Sequence, residues 1–337
     1  MSSPPEDLAQ EPSTRLPPRW LLFAAVPFLP FVGAVAAMQF IATPLDPAAY
    51  AQAFRQGAAA LTAHLGDRLS YAALAYLHLA ACLAVIGYYG VCLRELDPAR
   101  RRGALRVLAA TFGVALLVVV PTRALDAAAY AVTFQNIRDV LHQAALTHDF
   151  TEPAYHFAGV GFTRIALAGG VPFLFGVLAI IAAVPVGAAM ASFAPGEDAD
   201  WQALFAERVR LLQRAFYALS VVLVTSTLTL MVFFQLPADL ASGAEAAALQ
   251  RYARGLTLFW GATMTLTLLA VFVPPVLALR GAARARHRAA RVAQDFDHWF
   301  AEQAPISVQR QLAGLAAMLG PIMVGPLGSI LQSVFGH

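Results

Sequence analysis

Six stretches of this sequence, each long enough as a helix to cross the hydrocarbon core of a bilayer, carry no aspartate, glutamate or arginine, or only one at an end. Nothing else in the chain constrains its fold as strongly. Peptide groups in lipid have no water to bond to, so a segment crossing it must close its backbone hydrogen bonds within a helix or a closed barrel. Uninterrupted apolar runs of this length specify helices. The runs are Trp20 to Thr43, Leu69 to Leu93, Val107 to Thr122 (extended inward past Arg106 to residue 103), Ile165 to residue 187, Ala215 to residue 237, and Gly255 to Leu279. Composition agrees: 13% of residues are charged and mean hydropathy is +0.63, against about 25% charged in soluble domains.

The basic residues, 23 in all, are arginines, and their placement explains the net charge of +3 better than nucleic-acid binding does. With the amino terminus inside, 16 arginines fall in the two tails and the second and fourth loops. Six fall in the three outer loops: Arg55, Arg68, Arg123, Arg138, Arg251 and Arg254. This asymmetry is what the positive-inside rule describes. The expected fold is therefore an all-α, polytopic transmembrane helix bundle of three in-out-in hairpins, both termini cytoplasmic, in a bacterial-type inner membrane.

Residues 1–18 are rich in proline and serine, with no cationic stretch directly before a short apolar core, and are expected to form a disordered cytoplasmic tail and not a cleaved signal. Residues 19–280 form the six-span domain. Cys82 and Cys92 lie ten apart on one predicted helix, about 15 Å along its axis, and cannot pair.

Two of the outer turns look duplicated. Residues 45–54 read LDPAAYAQAF and residues 125–134 read LDAAAYAVTF, with Asp46 matching Asp126, Tyr50 matching Tyr130 and Phe54 matching Phe134. Asp46 is placed to cap a short helix that starts at Pro47 and lies at the interface. The third turn, with Asp239, shares only the outline, and an acidic vestibule built from the three aspartates is the competing reading.

Residues 281–337 are expected to hold a cytoplasmic amphipathic helix continuing the last span, with Val292, Phe296, Trp299 and Phe300 at helical spacing, then an apolar segment. In that segment Gly320-Pro321 and Gly325-Pro326 favour broken helices, an oligomerisation contact or a re-entrant stretch over a seventh span.

Candidate chemistry is sparse. No Asp or Glu lies within the six cores, which weighs against a proton- or sodium-coupled pump. His78 is the lone intramembrane imidazole, read first as a hydrogen-bonded packing residue and second as a proton relay. One axial candidate does not make a haem site, and no cofactor is expected. In the third loop, His148, Glu152 and His156 would share a helical face able to hold a divalent metal, a weak match that Pro153 disturbs. No phosphate-binding loop, dinucleotide fingerprint or nucleophile elbow occurs, so the chain is not expected to be an enzyme.

What remains is a hydroxyl band in the last two spans: Ser220, Thr225, Thr227, Thr229, Thr263 and Thr267. Such hydroxyls can line a wetted path, or bond to their own backbone and hold helices together. Pro274 and Pro275 form either a hinge or a fixed kink before the arginine cluster Arg280, Arg284, Arg286, Arg288 and Arg291. That cluster anchors the chain to anionic lipid and, in a second reading, binds an anionic soluble ligand. These features together lead to the expectation of a homo-oligomeric channel or pore-type protein, gated through its carboxy-terminal helices, in the role of a membrane effector. The alternatives are a non-catalytic subunit or adaptor docking a partner protein, and a membrane enzyme with an outward-facing metal site.

Overall fold

The computed structural model describes residues 18–41, 58–124, 137, 155–157, 160–162, 164–191, 201–290, 292 and 294–303. Its helices are α1 (Pro18–Ala25), α2 (Leu29–Ile41), α3 (Ala58–Arg94), α4 (Pro98–Ala124), α5 (Arg164–Met190), α6 (Trp201–Leu240), α7 (Gly243–Ala289) and α8 (Phe296–Gln303). Strands β1 (Tyr155–Phe157) and β2 (Val160–Phe162) form an antiparallel hairpin with Tyr155 opposite Phe162. Among the described residues, six helical segments are long and apolar enough to span a membrane: Leu22–Gln39, Leu69–Arg94, Pro98–Pro121, Gly170–Met190, and runs within Trp201–Asp239 and Gly243–Ala289.

Prolines set the local detail. The first span is broken between α1 and α2 by one 3-10 turn, Val26–Phe28. Pro30 has no N–H to offer the Val26 carbonyl, and the Leu29 N–H bonds to it instead, which is the tighter pattern. The α4 start is capped by Asp97, whose Oδ1 accepts from the N–H groups of Ala99 (3.0 Å) and Arg100 (2.9 Å), with Pro98 at the first helical position. The Asp46–Pro47 pair, read the same way from sequence, lies outside the described residues. Asp239 does not begin a helix: it sits in the last turn of α6, and α7 starts after Ser242 at Gly243, whose φ of 67° suits a residue without Cβ.

Within the bundle, α6 packs along α7 and α3, and α5 lies against α3, α4, α6 and α7; α1 covers α4 and α2 covers α7. The inner helices are α5 and α6, with 61% of the apolar window of each buried, against 22% for α3 and for α4. The outer faces of α3 and α4 present Leu77, Leu83, Val91, Leu105, Leu116 and Leu117. So continuous an apolar surface would drive association in water, whereas in hydrocarbon it costs nothing.

Two helices overshoot the membrane. At 40 and 47 residues, α6 and α7 are about 60 and about 70 Å long, roughly twice the hydrocarbon thickness. Beyond the apolar run, α6 keeps Phe205, Val209, Leu212 and Phe216 at spacings of three and four, all buried. The expected straight continuation of the last span through Phe300 does not occur. The chain leaves the helix after Ala289, Asp295 accepts from the N–H groups of Asp297 (3.0 Å) and His298 (3.3 Å), and α8 starts anew, packed back onto α6 and α7.

Candidate functional site

The one imidazole inside a span ties three helices together. His78 of α3 is fully buried, nine residues from Leu69 and so about 14 Å into the span. Its Nε2 lies 3.1 Å from the Pro172 carbonyl of α5, and its Nδ1 lies 3.0 Å from Thr225 Oγ1 of α6. A carbonyl only accepts, so Nε2 carries the proton. In the neutral ring Nδ1 then accepts from the Thr225 hydroxyl. That hydroxyl has fallback acceptors in its own helix, the Val221 and Val222 carbonyls, both at 3.0 Å. Cys82, one turn along α3, sets its Sγ 3.5 Å from Nε2. Gly176 makes room: a Cβ there would stand 3.5 Å from Nε2 and 4.0 Å from Ser226 Oγ. The imidazole is thus a satisfied cross-link between helices, the first of the two sequence readings.

The hydroxyl band faces inward within one chain. Ser220, Thr225, Thr227, Thr229, Thr263 and Thr267 are all buried. Ser220 donates to Phe216 O, Thr227 to Leu223 O, Thr229 to Thr225 O, Thr263 to Phe259 O and Thr267 to Thr263 O, at 2.8–3.0 Å. Each of these bonds turns the hydroxyl back onto the preceding turn, which lets apolar helices carry it at little cost. Thr229 also reaches Leu74 O of α3 at 3.2 Å. Ser226 differs: it is 5% exposed and has no hydrogen-bond partner among the described residues.

Ser226 borders two cavities. The larger is a cleft between the first span, α4, α5, α6 and α7, with about 600 Å³ of empty space including its open part. Phe28, Phe31, Phe173, Trp260, Met264 and Thr267 are among its walls. The smaller, about 270 Å³, lies between α3, α5 and α6 and touches Tyr71, His78 and Thr229. Both are lined by Phe173 and Ser226. They occupy the half of the bundle remote from the arginine cluster. The other half is closed by Tyr89, Val184, Ala188, Phe216, Phe272 and Leu279, all buried in one core, with Tyr89 OH donating to Ala215 O at 2.7 Å.

The prolines of α7 are packed in place. The helix runs unbroken through Pro274 and Pro275, and Pro275 seats against Gly187 of α5, where a Cβ would come within 3.1 Å of its Cγ. Past them, the arginine cluster meets α8. Arg280 bonds Asp297 at 2.8 Å and lies over Phe300, while Arg284 lies over Phe296. Beneath, Trp299 stacks with Trp201 and Phe205 of α6 at centroid distances of 4.8 and 5.2 Å, and His287 is boxed by Trp201, Phe296 and Trp299. Arg286 and Arg288 are on the same helical stretch of α7, and Arg291 lies outside the described residues. The apolar face read from Phe296 and Trp299 is covered by the chain itself; residues 304–337 are outside the described set.

His148 and Glu152 are also outside it, and His156 falls on β1 and not on a helix, so the spacing of four does not carry through to it. Among the described residues no three His, Cys, Asp or Glu side chains gather as metal ligands would. Two features escaped the sequence reading. Ser226 sits in the hydroxyl run VTSTLTL but gives no sign there of lacking its own backbone bond. Trp201 opens α6 in a charged stretch, where only the later Phe205–Phe216 periodicity points to burial. No family model, curated protein or solved structure matches this chain.

Proposed function

We propose that this multi-pass protein resides in a bacterial inner membrane with both termini in the cytoplasm, and that it is a channel- or carrier-type protein whose path runs inside each chain. Orientation rests on the arginines: the second and fourth loops and both tails hold most of them. The reading of the path rests on one observation, two neighbouring cavities that share Phe173 and Ser226 in their walls. Hydroxyls and aromatic rings line it and no ionised side chain does, which fits passage without a coupling carboxylate. A homo-oligomer belongs to the proposal through the apolar segment 311–336, which in water needs a cover. The arginine cluster, with Arg280 and Arg284 already engaged by α8, would anchor or gate the assembly at the anionic lipid surface.

Purified protein in liposomes tests this directly. Solute flux above empty vesicles is expected, with loss on Ser226→Phe or Thr267→Phe while thermal stability in detergent holds. Wild-type protein without flux, monomeric in detergent, would instead favour the adaptor reading. Orientation is read by maleimide labelling of intact cells in a Cys92→Ala background: a cysteine at Arg254 should react and one at Arg101 should not.

A further inference from the structure

We propose that the intramembrane cleft binds a single-chain, uncharged amphiphile, an alkyl or isoprenoid chain ending in a hydroxyl or carbonyl group that pairs with Ser226. The proposal deepens the path reading and rests on the same cleft, but binding and flux are measured separately.

The lining of the cleft selects the chain. Phe28, Phe31, Phe173, Ile180 and Trp260 make its walls apolar and stiff, and Met264 supplies an adaptable one. Walls of this kind suit a polymethylene or prenyl chain.

Ser226 selects the head. It makes no hydrogen bond among the described residues, is 5% exposed, and borders both cavities. A hydroxyl that borders a cavity and has no protein partner is free to pair with a ligand oxygen there. No charged side chain lines either cavity, so a carboxylate, phosphate or ammonium head would enter with no counter-charge at a depth where ions are costly. Gly176 keeps the junction open, since any larger residue would project toward His78 and Ser226. The same apolar walls would take the tail of a bilayer phospholipid, and the comparison of alcohol with alkane separates the two sources.

The test uses the full chain in nanodiscs with a photoactivatable long-chain alcohol, mapped by mass spectrometry. Saturable labelling of α5, α6 and α7 in the cleft is expected, with unlabelled alcohol competing about fivefold better than the alkane of equal length, the worth of one neutral hydrogen bond. Ser226→Ala should abolish that preference, and Met264→Trp should remove cleft labelling altogether. Equal competition by alcohol and alkane in the wild type, the signature of a bilayer tail, overturns the proposal. So does non-saturable labelling spread over the lipid-facing Leu83 and Leu117. Flux without saturable labelling sinks this proposal and spares the path; saturable labelling without flux supports it and sinks the path.

Discussion

Replacing Trp299 by alanine should release α8 from the bundle and leave the six spans folded. Trp299 is 3% exposed, with ring centroids of Trp201, Phe205, His287 and Phe296 at 4.8, 5.2, 5.7 and 5.9 Å. Truncating a tryptophan so enclosed costs about 3–5 kcal/mol. The helix it anchors has eight residues, too few to persist without tertiary contacts. The ion pair Arg280 to Asp297 is short at 2.8 Å, but its side chains are 45% and 58% exposed. Exposed pairs of this kind contribute about 0–1 kcal/mol. The rings, not the ion pair, therefore hold α8. Hydrogen exchange in detergent micelles reads the difference. In Trp299→Ala the amides of 296–303 should lose protection by about 150-fold or more, the equivalent of about 3 kcal/mol, while those of α5 are unchanged. Asp297→Asn should accelerate the same amides less than about fivefold. Full protection of α8 in the alanine variant, or equal release by the two substitutions, would refute the reasoning.

Two further substitutions test the interior. His78→Phe should lower stability only modestly, because the Thr225 hydroxyl has the Val221 and Val222 carbonyls to return to; a double-mutant cycle with Thr225→Val should give a coupling of about 0.6 kcal/mol, as for other interhelical hydrogen bonds in membranes, and a value above about 2 would show that the node does more than pack. Gly187→Leu should cost about 1–3 kcal/mol by forcing α5 away from Pro275, which a Cβ already approaches to 3.1 Å, whereas Gly113→Ala, with nothing within 4 Å, should be neutral or slightly stabilising in a detergent melt; equal effects at the two sites would contradict the close packing of α5 on α7.

The spans were legible because one physical rule, no ion in hydrocarbon, acts on every residue of a run. The apolar run Leu69 to Leu93 lies within α3, Ala58–Arg94, and ends one residue before it does. Features set by other rules were not. The sequence marks where lipid ends but not where a helix ends, so the extension of α6 from Trp201 to Arg214, beyond the apolar run, is hidden behind its charges. The turn at Ala290–Asp295 was missed because the apolar spacing of Val292, Phe296 and Phe300 fits a continuous helix as well as a folded-back one, and only the Asp295 cap distinguishes them. At the site, the threonine spacing by itself is ambiguous. A hydroxyl can bond to its own helix or face a path, and the neighbours that decide lie on other helices: Leu74 for Thr229, His78 for Thr225. The partners of His78 lie 94 and 147 residues away, beyond any local pattern.

The interior of this bundle has an electrical consequence. Its polar groups within the apolar cores are hydroxyls bound to carbonyls and a hydrogen-bonded imidazole, and the cores themselves hold no arginine, aspartate or glutamate. A helix that slides, tilts or rotates here transfers no gating charge across the membrane field, worth about 2.3 kcal/mol per elementary charge at 100 mV. Rearrangement of these apolar cores by themselves is consequently silent to voltage.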